Sequence, residues 1–167
     1  MDEHGENAWD DTLERAALDG AYTAVGSYPD SEFLRLLAAL PEAPEPERPP
    51  EARLRWFGAK AFPLLAQRYP VFFDGHDSTQ PFLLTLNDII HPEVRKLYPD
   101  ADVPVFEFSH EGQSTLVVGY RSGRRLCFLA EGFIEGASTH FGEHVSIEQR
   151  RCMHLGDERC DLVCRFA

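Results

Sequence analysis

The sequence predicts an α+β fold: an N-terminal helical layer followed by a β-β-α-β-β antiparallel sheet. Two observations carry that expectation. Apolar residues over the first hundred positions recur at three- and four-residue spacing, as on a buried helix face. From Val103 the period switches to alternation, and two alternating pairs flank a helical stretch at 124–141. The 167 residues suffice for one domain with a packed core, and residues 1–167 are read as a single unit.

The elements follow in order. Residues 7–18 form a helix through Trp9, Leu13, Ala16 and Ala17, stopped by Asp19-Gly20. Ser27-Tyr28-Pro29-Asp30 opens a second, whose stripe is Phe33, Leu34, Leu37 and Leu40. PEAPEPERPP (41–50) holds five of the twelve prolines and reads as an exposed, semi-rigid loop. Helical spacing resumes over 52–69 and breaks at Tyr69-Pro70. A long helix begins near Ser78 and runs into the nineties, bent beside His91 because Pro92 disrupts a straight helix by about 3 kcal/mol. Val103–Phe108 and Thr115–Tyr120 are strands around a Glu111-Gly112-Gln113 turn. Residues 124–141 are helical, and strands at 144–152 and 159–166 flank a Gly156-Asp157 turn.

The charge narrows the function classes. Sixteen Lys+Arg against 28 Asp+Glu give −12, which argues against nucleic acid or an anionic membrane as partner. No apolar run approaches the roughly 20 residues of a membrane span. The start, MDEHGENAWDD, is acidic and unlike a signal peptide. Four cysteines, all after position 126, suit reduced thiols or a bound metal in a cytoplasmic protein. No nucleophile elbow, phosphate loop or complete zinc-hydrolase motif is present, so no enzyme activity is expected.

Two constellations carry chemistry. His91 stands among Ile89, Ile90 and Val94, the setting of a packed core histidine or of a metal or haem ligand. Tyr120, Ser122 and Arg124 alternate at a strand end. They either present hydroxyls and a cation to a ligand bearing carboxylates or simply cap the strand.

Together, HPEVRKLYPDADVP (91–104) and YRSGR (120–124) resemble the haem nitric oxide/oxygen-binding (H-NOX) domain. The similarity extends from about Gly5 through GAYTAVGSYPD, RYPVFFDG and LAEGFIEGASTHFGE to the end of the chain. The resemblance implies haem b between the two halves, with His91 as proximal iron ligand. It implies that Tyr120, Ser122 and Arg124 hold the haem propionates and that Pro104 presses on the porphyrin. Oxygen-binding members place a tyrosine in the distal pocket; the matching position here is Leu129, which offers no donor to bound oxygen. The chain is therefore expected to bind nitric oxide and carbon monoxide and to exclude oxygen. It would signal to a separate partner, such as a histidine kinase or a cyclic-di-nucleotide enzyme. One departure is expected at the N-terminus: the short apolar helix that covers the distal haem face is missing, and MDEH begins directly at the following segment.

Cys152 and Cys160 form C-x7-C across a hairpin turn, with Cys127 on the preceding helix. A structural zinc, free buried thiols and a redox-sensitive disulfide all fit. The resembled family includes members with a zinc on these three cysteines and a histidine three residues before the second. Gln149 stands there, leaving His154 as the substitute fourth ligand. Cys164 lies about 13 Å along the strand from Cys160 and is a poorer candidate. The alternative function is a haem-free, zinc-stabilised interaction module.

Overall fold

The computed structural model describes residues 7–23, 26–41 and 49–167. The expectation of a missing distal helix falls on the first six residues, and that of a semi-rigid Pro/Glu loop largely on 42–48. Both lie outside the described residues.

The first helix, α1 (Ala8–Ala16), carries Asp10 and Asp11 in its first turn and Arg15 in its last, matching the helix dipole. It stops earlier than Asp19-Gly20. Ala17 takes the left-handed conformation (φ 52°), and the Leu18 N–H donates to the Leu13 carbonyl at 3.0 Å, closing the last turn. Trp9 does not join the buried stripe; it is exposed and meets Tyr22 edge-on. Helix α2 (Asp30–Ala39) starts after Pro29 and buries Leu37, while Leu34 is turned outward. Arg15 Nε donates to the Ala39 carbonyl at 3.0 Å, so one helix caps the other.

Helix α3 (Pro50–Arg68) packs along α6 (Cys127–His140) at backbone distance. A Cβ on Gly132 would sit 2.0 Å from the Arg55 carbonyl oxygen, and one on Gly58 would sit 2.6 Å from that of Leu129. Side chains larger than hydrogen do not fit there. Arg55 of α3 also pairs with Glu131 and Glu135 of α6. Burial raises the Glu131 carboxyl above its ordinary value, with Arg55 opposing.

The predicted long helix is divided. It consists of α4 (Thr79–Leu84), a π-helical turn (Leu86–Ile90) and α5 (His91–Leu97). Pro92 explains the wide turn: it has no N–H to return to Asp88, and its ring would press on that carbonyl. The Ile90 N–H therefore donates to the Thr85 carbonyl at 3.2 Å, and the His91 N–H to that of Leu86.

The strands are β1 (Val105–His110), β2 (Thr115–Arg121), β3 (Val145–Arg151) and β4 (Cys160–Phe166). They form one antiparallel sheet in the order β1-β2-β4-β3, with Phe106 opposite Tyr120 and Tyr120 opposite Cys160. The core lies between this sheet and α6, with Leu116, Val118 and Leu162 fully buried. A smaller cluster of Leu37, Leu54 and Leu126 joins α2 and α3 to the start of α6. The fold is α+β. No helix among the described residues is long and apolar enough to cross a membrane.

Candidate functional site

A cavity of about 430 Å³ opens between the helical layer and the sheet, within the roughly 300–1,000 Å³ usual for cofactor sites. Its wall is mostly apolar. Helix α6 contributes Leu129, Ala130, Phe133 and Ile134, all without a hydrogen-bonding side chain. His91, Pro104, Tyr120, Ser122 and Arg124 also line it, as do Tyr69, Glu93 and Tyr98, which sequence reasoning did not single out.

His91 enters this wall because the π-turn ends on it. Its ring lies 5.6 Å from that of Phe106, nearly parallel at 26°. Burial, then the Arg95 charge, lowers its pKa below the ordinary histidine value, against a hydrogen bond to the Pro104 carbonyl. The ring is therefore neutral at neutral pH. A neutral ring has one N–H, for which the Pro104 carbonyl is the acceptor at hand, and its other nitrogen is an acceptor, the form in which imidazole binds a metal. Pro104 thus contributes a carbonyl to the site as well as its ring to the cavity wall.

Tyr120, Ser122 and Arg124 meet, but by a different route from strand alternation. Strand β2 ends at Arg121, and the chain then turns. The Tyr120 hydroxyl accepts from the Leu126 N–H at 2.9 Å, and Ser122 Oγ accepts from the Arg124 N–H at 3.2 Å. Burial raises the Tyr120 pKa, with the Ser122 hydroxyl and the Leu126 N–H opposing. Arg124 already has a carboxylate partner: its Nε donates to both Asp30 oxygens, at 2.8 and 3.0 Å, and its Nη2 to Oδ1. Nη1 reaches the Asp102 carbonyl at 3.5 Å, the weakest of these contacts. Nothing in the local sequence signals Asp30, which lies 94 residues away. Leu129 lines the cavity and also packs on the Leu37–Leu54–Leu126 cluster.

A second group lies between the sheet and the start of α6. The sulfurs of Cys127, Cys152 and Cys160 lie within 4.8 Å of one another, all buried. The Cys127 thiol and the Met153 N–H, the latter at 3.2 Å, donate toward Cys160, whose pKa is lowered to about 6. The Cys127 pKa is correspondingly raised, first by its bond to Cys160 and then by burial. The expected fourth ligand is elsewhere. His154 sits on the exposed 3-10 turn Met153–Leu155, and its Nε2 faces the Arg125 carbonyl at 2.8 Å. Gln149 lies beside the Cys127 and Cys160 sulfurs instead, and its buried side-chain nitrogen has no hydrogen-bond partner among the described residues. Cys164 lies outside the group, its pKa pushed up to about 12 by burial. The cluster supplies three of the four donors that a tetrahedral zinc takes.

The cavity and its residues suit haem: a neutral histidine with a committed ring N–H, apolar walls and a cationic, hydroxyl-bearing rim. Known proteins agree. Residues 1–149 match the Haem-NO-binding family. No curated protein sequence matches the chain. A crystal structure of an H-NOX protein from S. oneidensis in the Fe(II)NO ligation state superposes with a TM-score of 0.85 at 30% identity. That match covers 96% of this chain and 89% of that one. An NMR structure of a Shewanella oneidensis H-NOX domain in the Fe(II)CO state gives 0.84 at 30% identity, over 98% and 90% of the two chains. An unliganded Fe(II) H-NOX protein from K. algicida shares the fold, with a TM-score of 0.81 at 24% identity over 99% and 89%. The chain belongs to the Haem-NO-binding (H-NOX) family, whose domains are haem-based gas sensors.

Proposed function

We propose that this chain is a sensor that holds haem b in the cavity with His91 as iron ligand. It would bind nitric oxide and carbon monoxide, exclude oxygen, and pass the signal to a separate protein. The observation that carries this reading is the His91 ring in the wall of an apolar cavity that Tyr120, Ser122 and Arg124 also line. Haem supplies the iron at which a diatomic gas coordinates. The chain's own residues do the rest. Tyr120, Ser122 and Arg124 form the rim that would take the haem carboxylates, with Arg124 sharing its guanidinium between them and Asp30. Pro104, which lines the cavity, would lie against the ring system. Helix α6 offers Leu129, Ala130, Phe133 and Ile134, and an apolar surface stabilises bound oxygen poorly while costing nitric oxide little. The partner class, a histidine kinase or cyclic-di-nucleotide enzyme in the cytoplasm, rests on the family resemblance, as does the absence of catalysis.

The test is the absorption spectrum of the ferrous protein with and without nitric oxide, in air and in its absence. A His-ligated ferrous spectrum that changes with nitric oxide and not with oxygen is expected. An oxygen complex would overturn the argument from Leu129, and a His91→Gly protein with an unchanged ferrous spectrum would overturn the ligand assignment.

The thiol cluster supports a second reading, the haem-free module held by zinc on Cys127, Cys152 and Cys160. Zinc by elemental analysis in protein that gains no Soret band when haem is supplied would favour it.

A further inference from the structure

Asn87 sits in the π-turn, four residues before His91, and its side chain makes two hydrogen bonds to one residue of the sheet. Nδ2 donates to the Phe106 carbonyl at 2.7 Å, and the Phe106 N–H donates to Oδ1 at 3.2 Å. Strand β1 is the edge of the sheet, so these are backbone groups that no neighbouring strand satisfies. An asparagine carboxamide carries the same donor–acceptor pair as a peptide, and here it substitutes for the missing strand.

The placement has a consequence for His91. The ring of Phe106 lies against the His91 imidazole, and the carbonyl of Pro104 accepts its N–H. Residues 104–106 therefore hold both the histidine ring and the turn that carries it. A π-turn is a strained and adjustable element. Its bonds converge on the Thr85 carbonyl, which accepts from both Ile89 and Ile90. Left to itself, such a turn can slide or rewind and rotate the residue that follows it. The Asn87 clamp removes that freedom.

We propose that Asn87 is the positioning residue for His91: it fastens the π-turn to the edge of β1 and so fixes the height and angle at which the imidazole meets the cavity. This inference rests on His91 being the iron ligand. The clamp sets how readily the imidazole follows or leaves the iron when the opposite side is occupied. It is also the direct link through which movement of the His91 segment reaches the sheet.

The test uses the full chain loaded with haem and compares Asn87→Ala with the unaltered protein and with Leu37→Ala. The last variant opens the α2–α3 cluster and lowers stability without touching the clamp. In N87A, the iron–histidine stretching band should shift and broaden, and the fraction of protein that loses His91 ligation on adding nitric oxide should rise. Amide exchange at Phe106 in the haem-free protein should accelerate about tenfold, the effect of losing one backbone hydrogen bond. L37A should lower the melting temperature and leave all three unchanged. An N87A band identical to that of the unaltered protein overturns the proposal. If N87A does not fold, Asn87→Asp, which keeps the acceptor and loses the donor, is read by the same criteria. The His91→Gly spectrum separates the two levels: its failure to change removes the ligand assignment and this inference with it, whereas a changed H91G spectrum beside an unchanged N87A band removes this inference alone.

Discussion

His91 shows how much a single residue's chemistry depends on what faces it. Desolvation, joined by the nearby Arg95, disfavours its charged form, and the Pro104 carbonyl recovers only part of that cost. The unfolded chain binds this proton near pH 6.5, while the folded chain binds it only at lower pH. Between those two values the unfolded state holds more protons. Stability therefore falls as pH drops below 6.5, by at most about 1.4 kcal/mol per pH unit, and the loss stops growing below the folded value. We expect the urea midpoint of the haem-free protein to decline from about pH 7.5 to about pH 5.5, and His91→Gln to decline less over the same interval. Equal slopes in the two proteins would remove His91 as the cause. Arg124 makes the opposite case. Its side chain is 38% exposed, and its pair with Asp30 contributes little to stability by itself, roughly 0–1 kcal/mol. Its importance is geometric: Asp30 fixes the Nε edge of the guanidinium and leaves the Nη1 edge lightly held.

At the scale of elements, the α3–α6 contact sets the back wall of the cavity. Gly58 and Gly132 allow two backbones to meet where a methyl group would overlap a carbonyl. Gly132→Ala should therefore cost about 1–3 kcal/mol, or more if the helices cannot separate, and lower the melting temperature by roughly 2–12 °C. Gly75→Ala, with nothing within 4 Å of the added carbon, should stay within about 0.5 kcal/mol and serves as the control in the same thermal scan. The elements that sequence periodicity describes best, α6 and the four strands, are those with one face on the core, because burial imposes the period. The segment around His91 was legible only as a bend. Pro92 announces that a helix is disturbed but not that the disturbance is absorbed upstream by a wider turn, since that depends on Asn87 finding Phe106. The Tyr120–Ser122–Arg124 set was legible as a motif, whereas its partner Asp30 was not, because an ion pair across 94 residues leaves no local pattern. The three cysteines were legible by spacing. The fourth corner was not, since a 3-10 turn carries His154 outward and strand β3 brings Gln149 inward.

For the molecule as a whole, the cavity lies along the seam between the helical layer and the sheet half. Among the contacts that join them are the shared core of Phe62, Phe82, Leu116 and Val118, the α3–α6 glycine contact with its Arg55 ion pairs, the Leu37–Leu54–Leu126 cluster, the Arg124–Asp30 pair and the Asn87 clamp. A rigid ligand spanning that seam adds another, and it does so only in the folded state. Haem held as proposed would contact Phe62 and Phe82 of the helical layer, His91 of α5, and Val118 and Tyr120 of the sheet, all of which line the same space. Binding confined to the folded state stabilises it by mass action, about 2.7 kcal/mol at a free concentration 100 times the dissociation constant. For a chain of this size that is a rise of roughly 5–11 °C in the unfolding midpoint. We expect haem to raise the midpoint by this order and to make helical and sheet signals unfold together. His91→Gly should shrink the rise without abolishing it, because the apolar walls and the Arg124 rim still take the porphyrin. A midpoint indifferent to haem would mean that the seam is not its site, and that the aromatic cavity serves packing alone.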